Sequence, residues 1–514
     1  MWNEKYRKEL EEKRDTIRRG GGEERIKKQH EKNKLTAMER IEALVDEGSF
    51  VAFESLHISD VPVSGSHSKD HPGDGVITGY GMINGRQVFV SSQDFTVMGG
   101  TISKGNSDKI CRIIQLAIDH KAPYISINDS GGARLDEGLY ALNGCSAILH
   151  ANVMASGVIP QIAVVLGPCA GVASYSPALM DFIIMQKDNG QMYLTGPDVV
   201  RTAIGQETTA DELGGSRVHM EKSGVAHFSY EDDVNCLAKV RELLDYLPQS
   251  FEEKPYWKEY MNIDDSEHLE ALVPDNTRKP YDVRPVIFTI ADGGLFLEVQ
   301  RDYAKNIVVG FVRIGGQSVG VVANQPRELA GSLDAKSSEK AARFIRFCDA
   351  FRIPLLALVD VPGYLPGLEM ETSGVIRRGA KLLYAFSEAT VPKITLILRK
   401  AYGGAYLAMN SKSLGADYVF AWPIAQIAIM SAEGAVGILK RRELKESDDP
   451  EALKEKFKAE YEEEYYNPYY AASIGLIDEV ILPEETRERI LQSIEAFQNK
   501  EVSNPVRRHG NIPL

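Results

Sequence analysis

Four glycine-bearing loops are the parts of this 514-residue chain best suited to chemistry. Asn128–Gly138 (NDSGGARLDEG) and Gly167–Phe182 (GPCAGVASYSPALMDF) lie in the first half. Val359–Glu369 (VDVPGYLPGLE) and Arg399–Phe420 (RKAYGGAYLAMNSKSLGADYVF) lie in the second. In each, glycines follow an apolar run of strand type and precede a helix-forming run. Glycine lets the backbone approach a ligand closely, and the first amides of a helix point at negative charge in front of them. That combination builds an oxyanion hole. It also builds the ordinary strand-to-helix turns of α/β proteins, and the residues alone leave both readings open.

No side-chain acid–base machinery accompanies the loops. The chain has no GxSxG elbow, no HExxH, no phosphate loop ending in GKS or GKT, and no GxGxxG after a strand. GGGEER near residue 20 sits in a charged, helix-like context. His57, His67, His120, His219 and His227 are scattered and read as surface or satisfied core residues. An enzyme built this way works through amide donors and positioning, stabilises an enolate or a tetrahedral oxyanion, and leaves proton transfer to the ligand.

The elements that must position these loops occur twice. Lys109, in SDKICRIIQLAIDHKAPYISINDSGG, and Lys340, in SEKAARFIRFCDAFRIPLLALVDVPG, superpose at an offset of 231 residues (340 minus 109). The offset runs back through Gly100 on Gly331, Gly85 on Gly316 and Gly79 on Gly310. Each copy reads as a hairpin, a glycine loop, a helix with apolar residues at helical spacing (Ile110, Ile113, Ile114, Ala117; Ala341, Phe344, Ile345, Cys348), and a buried strand ending at Asp129 or Asp360. Asn84-Gly85 marks the first hairpin turn. The fold class is therefore α/β, with two related domains expected over residues 1–248 and 285–514, a Pro-rich, aperiodic linker over 249–284, and a cleft between the copies. Residues 1–45 read as a charged, helical packing arm in solvent.

Composition narrows the class of function. The formal charge of −14 disfavours nucleic acid, so a polyanionic ligand must be held by local cations or by backbone amides. Cys111, Cys145, Cys169, Cys236 and Cys348 form no CxxC pair, which excludes a zinc ribbon and fits a reducing, cytoplasmic setting. Apolar runs are broken before the ~20 residues a membrane span needs. No direct membrane insertion and no targeting segment are expected.

At the four loops the sequence resembles the carboxyltransferase (beta) subunits of biotin-dependent acyl-CoA carboxylases, the propionyl-CoA carboxylase beta group. Matching runs include KLTAMERIEALVDEGSF, SGGARLDEG, GPCAGVASYSPALMDF, LTGPDVVRTAIGQE, DVPGYLPG, KAYGGAYLAM, FAWPIAQIAIMSAEGAVGIL and the terminal HGNIPL, and they span nearly the whole chain. The carboxyltransferase subunits of sodium-pumping acyl-CoA decarboxylases and of transcarboxylase are similar as well. The resemblance implies two tandem crotonase-like (ββα-superhelix) domains related by duplication. It implies a hexamer in which acyl-CoA on the N-terminal half of one subunit faces carboxybiotin on the C-terminal half of a neighbour. The implied reaction transfers a carboxyl group from carboxybiotin, on a carrier protein, to the α-carbon of a short acyl-CoA. The alternative is the reverse, as in a biotin-dependent malonyl-CoA or methylmalonyl-CoA decarboxylase or in transcarboxylase.

Carried across by the same resemblance, the amides of Gly171 and Val172 match the donors to the acyl thioester oxygen. Those of Gly404 and Ala405, beside Gly403, match the donors to the biotin carbonyl. Ser130, Gly131, Gly132, Ala133 and Arg134 line the CoA side, with Arg134 either a cation for the CoA phosphates or a structural residue. Biotin itself serves as the base, which accounts for the missing histidine. Two positions depart from the family. Val172 stands where a second glycine is usual, beside the thioester. Leu407 stands where propionyl-CoA enzymes carry an aspartate, and it either selects acyl length or fills volume. No AMKM-type biotin attachment segment and no ATP-grasp glycine loop is present, so biotin carboxylase and biotin carboxyl carrier partners are implied on other polypeptides.

Overall fold

The computed structural model describes residues 3–61, 71–259 and 268–513. His67 lies outside them. The chain forms two compact units, Met1–Glu253 and Lys254–Leu514.

The strands of the first unit are β1 (Val51–Phe53), β2 (Val76–Ile83), β3 (Arg86–Gln93), β4 (Tyr124–Ser130), β5 (Gln161–Ala170), β6 (Phe182–Gln186), β7 (Gln191–Tyr193) and β8 (Phe228–Tyr230). They form one sheet in the order β1-β2-β3-β4-β5-β6-β8, with β7 paired to the end of β5. The second unit has β9 (Phe296–Val299), β10 (Ile307–Ile314), β11 (Gln317–Asn324), β12 (Leu355–Val361), β13 (Lys393–Tyr402), β14 (Tyr418–Ala421), β15 (Gln426–Ala428) and β16 (Glu479–Val480). Their order, β9-β10-β11-β12-β13-β14-β16 with β15 on β13, is that of the first unit strand for strand. In both sheets the first three strands are antiparallel and the remaining pairs parallel. This mixed α/β architecture, repeated in tandem, is the crotonase-like duplication.

Local chemistry explains the repeats. Asn84 and Gly85 have φ of 52° and 73°, and Gly315 and Gly316 have 59° and 78°, the double left-handed turn that a two-residue hairpin requires. Gly79 and Gly310 lie mid-strand because a Cβ at either would come within 2.3 Å of a neighbouring strand carbonyl and 2.6 Å of the Phe50 or Phe296 ring. After each hairpin, a helix buries its apolar face: Ile110, Ile113, Ile114 and Ala117 on Lys104–Asp119, and Ala341, Phe344, Ile345 and Cys348 on Ala335–Ala350.

Two expectations change. The N-terminal arm forms α1 (Glu4–Arg18), α2 (Glu23–His30) and α3 (Ala37–Leu44). α1 buries nothing, but Gln29, Lys34 and Arg40 are fully buried against the sheet, so this part of the arm belongs to the core. The aperiodic segment read as linker contributes Leu269, Val273, Tyr281 and Val283 to the core of the second unit. A stretch without secondary-structure period still fills a core where no regular element imposes one. Among the described residues no helix is long and apolar enough to cross a membrane.

Candidate functional site

The parallel strands end at equivalent points, and the glycine turns begin there. β5 ends at Ala170 and leads into a short 3-10 turn, Gly171–Ser174, with Gly171 at φ 65°. β13 ends at Tyr402 and leads into the helix Gly403–Ala408, with Gly403 at φ 57°. The left-handed glycine turns the chain sharply from strand into helix, so the next amides stand at the helix start without an acceptor inside it. Val172 and Gly404 are the equivalent second positions, Ala173 and Ala405 the third. Gly404 is exposed, and a Cβ there would meet nothing within 4 Å. Val172 is partly buried and packs against the first core.

The loop after β4 is tied to this turn. Ser130 is buried and its hydroxyl accepts from the Gly132 N–H at 3.1 Å, while the Gly131 N–H donates to Gly99 O at 2.9 Å. Gly132, at φ 102°, lies so close to β5 that a Cβ would sit 2.8 Å from Ala170 O, immediately before Gly171. Ala133 bridges Ile102, and the Arg134 N–H donates to Ile102 O at 2.8 Å. The second unit repeats this with Leu333 between Gly363 and Leu365.

Of the two readings left open for Arg134, the structure favours the structural one. Arg134 is buried, its guanidinium paired with Asp74 and with Glu137 at 3.4 Å, and it donates to Thr101 O at 3.2 Å. It holds the loop and is not available to a phosphate. Glu137 is consumed by the same network, accepting from the Lys104 N–H at 2.8 Å.

Cys169, His219 and His227 are each engaged in hydrogen bonds of their own. Cys169, just before the Gly171 turn, is pushed up to about 12 by burial and donates to Ala173 O. His219 has both ring nitrogens engaged, by Ser223 Oγ and Met192 O, and burial lowers its pKa. His227 Nδ1 accepts from the Ile183 N–H at 3.0 Å.

Beneath the turns lie buried ion pairs that the sequence did not announce. Asp129, fully buried, is bonded by Lys34 at 2.8 Å, Arg40 at 2.9 Å and Gln29 at 3.0 Å. Asp360 is bonded by Arg399 at 3.0 Å, whose guanidinium also stacks over the Tyr281 ring at 4.9 Å. Burial pushes the Asp360 carboxyl up and the charge of Arg399 opposes it. Asp129 and Asp360 mark a register shift that both sheets share, β4 against β5 and β12 against β13. The usable signal was the acidic residue next to the end of a buried strand in both copies.

With this geometry, the sequence matches the carboxyl transferase domain family over residues 28–512. The chain belongs to that family. This carboxyltransferase-family protein is 51% identical over 510 residues, 98% of each chain, to the propionyl-CoA carboxylase carboxyltransferase subunit of Haloferax mediterranei. It is 49% identical, over 98% of each chain, to the methylmalonyl-CoA decarboxylase subunit alpha of Propionigenium modestum. Among solved structures it is similar to transcarboxylase 12S, a hexamer with methylmalonyl-CoA and methylmalonic acid bound, at 48% identity and a TM-score of 0.96, covering 99% of this chain and 98% of that one. In the carboxyltransferase-family chain the residue of acyl-length interest, Leu407, is 47% exposed on the helix Gly403–Ala408, so it does not fill the core of its own unit.

Proposed function

We propose that this chain is the carboxyltransferase component of a biotin-dependent acyl-CoA carboxylase, moving a carboxyl group from biotin on a separate carrier protein to the α-carbon of a short acyl-CoA. The observation that carries the reading is the pair of glycine-led amide turns, Gly171–Ser174 and Gly403–Ala408, at equivalent strand ends of two duplicated units. Residues 1–248 hold the acyl-CoA and 285–514 the biotin. The amides of Gly171 and Val172 donate to the thioester oxygen, where negative charge grows as the α-carbon loses its proton. Preorganised donors of this kind favour the charged enolate over the neutral ester, and that difference is what lowers the barrier. The amides of Gly404 and Ala405, with Gly403 turning the chain, donate to the biotin carbonyl oxygen. Bound carboxybiotin supplies the carboxyl group and, once that is released, the base. Gly131, Gly132 and Ala133 line the CoA side, while Ser130 and Arg134 fix the loop.

The chain works with biotin carboxylase and biotin carboxyl carrier partners, as a hexamer like transcarboxylase 12S, in the cytoplasm, a setting that suits five cysteines all free and four of them buried. The test is carboxyl transfer from a carboxylated biotin carrier to acetyl-, propionyl- and butyryl-CoA, together with biotin carboxylation from malonyl- and methylmalonyl-CoA. Turnover with a chain-length preference supports the reading; bound CoA esters without turnover in either direction refute it. Leu407 faces solvent at this turn, so Leu407→Asp is expected to change the ratio of acetyl- to propionyl-CoA turnover several-fold, and an unchanged ratio dismisses it as a selector.

A further inference from the structure

The two turns of the candidate site differ in what holds them. After the left-handed Gly171 the first unit places Val172, whose branched side chain restricts its own backbone and packs against the first core. After the left-handed Gly403 the second unit places Gly404, a second residue without a side chain, and a Cβ there would meet nothing within 4 Å. Two adjacent glycines leave the chain its greatest freedom, whereas donors aimed at a developing charge work only when they are held in place. The rigidity of the Gly404 and Ala405 amides must therefore come from the residues that flank the diglycine.

Those flanks are anchored. Ala405 and Tyr406 are buried on the far side. On the near side Tyr402, the last residue of β13, is buried, its hydroxyl donates to Gln426 Oε1 on β15, and its ring lies against the Tyr466 ring with centroids 5.4 Å apart. Tyr466 follows the helix Pro450–Tyr465, and its hydroxyl donates to Met430 O. The neighbouring carbonyl, Ile429 O, is the atom that a Cβ on Gly403 would meet at 2.8 Å. The contacts close on themselves, from Gly403 through Tyr402 and Tyr466 to residues 429–430 and back. Tyr402, Tyr466 and Ala432 make a small cluster of their own, separate from the main core of the second unit.

The first unit is built the other way round. Ala170 stands opposite Tyr193, where the second unit has Tyr402 opposite Ala428. Gln191, in the register position of Gln426, donates to Asp211 instead, and a Cβ on Gly171 would lie as far as 3.9 Å from Leu194 O. The aromatic residue sits on the turn-bearing strand in the unit whose turn is a diglycine.

We propose that Tyr402 and Tyr466 are positioning residues of the Gly403 turn, an aromatic clamp that holds the Gly404 and Ala405 N–H groups in the geometry that a side chain at position 404 would otherwise enforce. The proposal rests on the reading above, in which those amides donate to the biotin carbonyl.

The experiment is biotin carboxylation from methylmalonyl-CoA at varied biotin, paired with calorimetry of acyl-CoA binding, on the full-length wild type and on Tyr402→Phe, Tyr466→Phe and Tyr402→Leu. Each phenylalanine variant keeps its ring and loses one hydroxyl contact, and is expected to lower kcat about tenfold. Tyr402→Leu loses the ring as well and is expected to lower kcat about a hundredfold. Acyl-CoA affinity and KM for biotin should stay within about threefold of wild type, since displaced donors weaken the transition state more than the bound ground state. A kcat that all three variants share with wild type overturns the clamp and leaves the carboxyltransferase reading intact. A fall in kcat matched by an equal loss of acyl-CoA affinity, or by a lowered thermal melt in both phenylalanine variants, assigns the rings to support of the fold and overturns it too. No transfer by wild type in either direction overturns the reading on which the proposal rests.

Discussion

Asp129 is the penultimate residue of β4 in the first unit and Asp360 that of β12 in the second, each at the register shift of its sheet and each with its N–H bonded to an amide side chain of the preceding hairpin, Gln93 or Asn324. The cations that neutralise them come from different places. Asp360 takes Arg399 from the adjacent strand β13, whereas Asp129 takes Lys34 and Arg40 from the N-terminal helical segment. The reason lies at Gly167, the counterpart of Arg399 on β5: a Cβ there would meet Asp129 Oδ1 at 1.9 Å and Lys34 Nζ at 2.7 Å. The cations from the arm occupy the space that a side chain on β5 would need. The comparison teaches that the fold requires the buried carboxylate beneath the loops and is indifferent to the source of its counter-charge. It also gives residues 29–40, outside the duplicated segment, a place in the core of the first unit.

Removing the counter-charge should break the comparison most forcefully. Arg40→Leu leaves Asp233 buried without its cation and Asp129 with Lys34 as its remaining cation, and is expected to cost about 3–5 kcal/mol in chemical denaturation. Arg399→Leu should cost a similar amount through the second unit. A loss below about 1 kcal/mol at either site would mean that the carboxylate does not depend on that cation.

Smaller effects are expected where the units agree. Gly100 and Gly331 have φ of 61° and 78°, and a Cβ would fall 2.1 and 2.5 Å from the carbonyl oxygens of Asp129 and Asp360. Alanine at either should destabilise by about 1–3 kcal/mol. Alanine at Gly404, which faces open space, should change stability by less than about 0.5 kcal/mol. Unequal costs at Gly100 and Gly331, read from urea midpoints, would show that the duplicated packing is less alike than its geometry.

A further difference is a pH dependence. Lys109 is buried with Gly73 O and Val76 O as acceptors, and Lys340 with Gln300, Tyr303, Ala304 and Ile307 carbonyls. Burial pulls Lys109 down to about 8 and Lys340 down to about 7. Unfolded lysines keep their proton to about pH 10.4, so between about 7 and 10 the unfolded chain binds more protons and stability rises with pH. The unfavourable contribution is complete below about pH 7 and disappears above about pH 10. Urea midpoints at pH 7.5 and 9.5 should therefore rise less in Lys340→Met than in wild type. An identical rise would show that the carbonyl ring keeps Lys340 charged throughout.

The sequence made the repeated features legible because their causes are local. A hairpin turn needs two left-handed residues, a helix shows its buried face by period, and a glycine turn shows its glycines. The buried polar network has no local cause. Arg40 reaches Asp129 across 89 residues and Arg134 reaches Asp74 across 60, and neither pairing leaves a pattern in the chain. A charged N-terminal segment therefore read as solvated although Lys34 and Arg40 are buried, and Arg134 stayed open between ligand and structural residue although its guanidinium is held internally. The loops of the candidate site were visible; what holds them in place was not.

The central claim is a division of labour, with the acyl thioester at the Gly171 turn and biotin at the Gly403 turn. Gly404→Pro removes one amide donor from a residue whose Cβ meets no neighbour. The decisive measurement is biotin carboxylation from methylmalonyl-CoA by this variant, paired with calorimetry of acyl-CoA binding. The account predicts that transfer falls at least about a hundredfold while acyl-CoA affinity is unchanged. Loss of acyl-CoA affinity, or transfer at the wild-type rate, would contradict it.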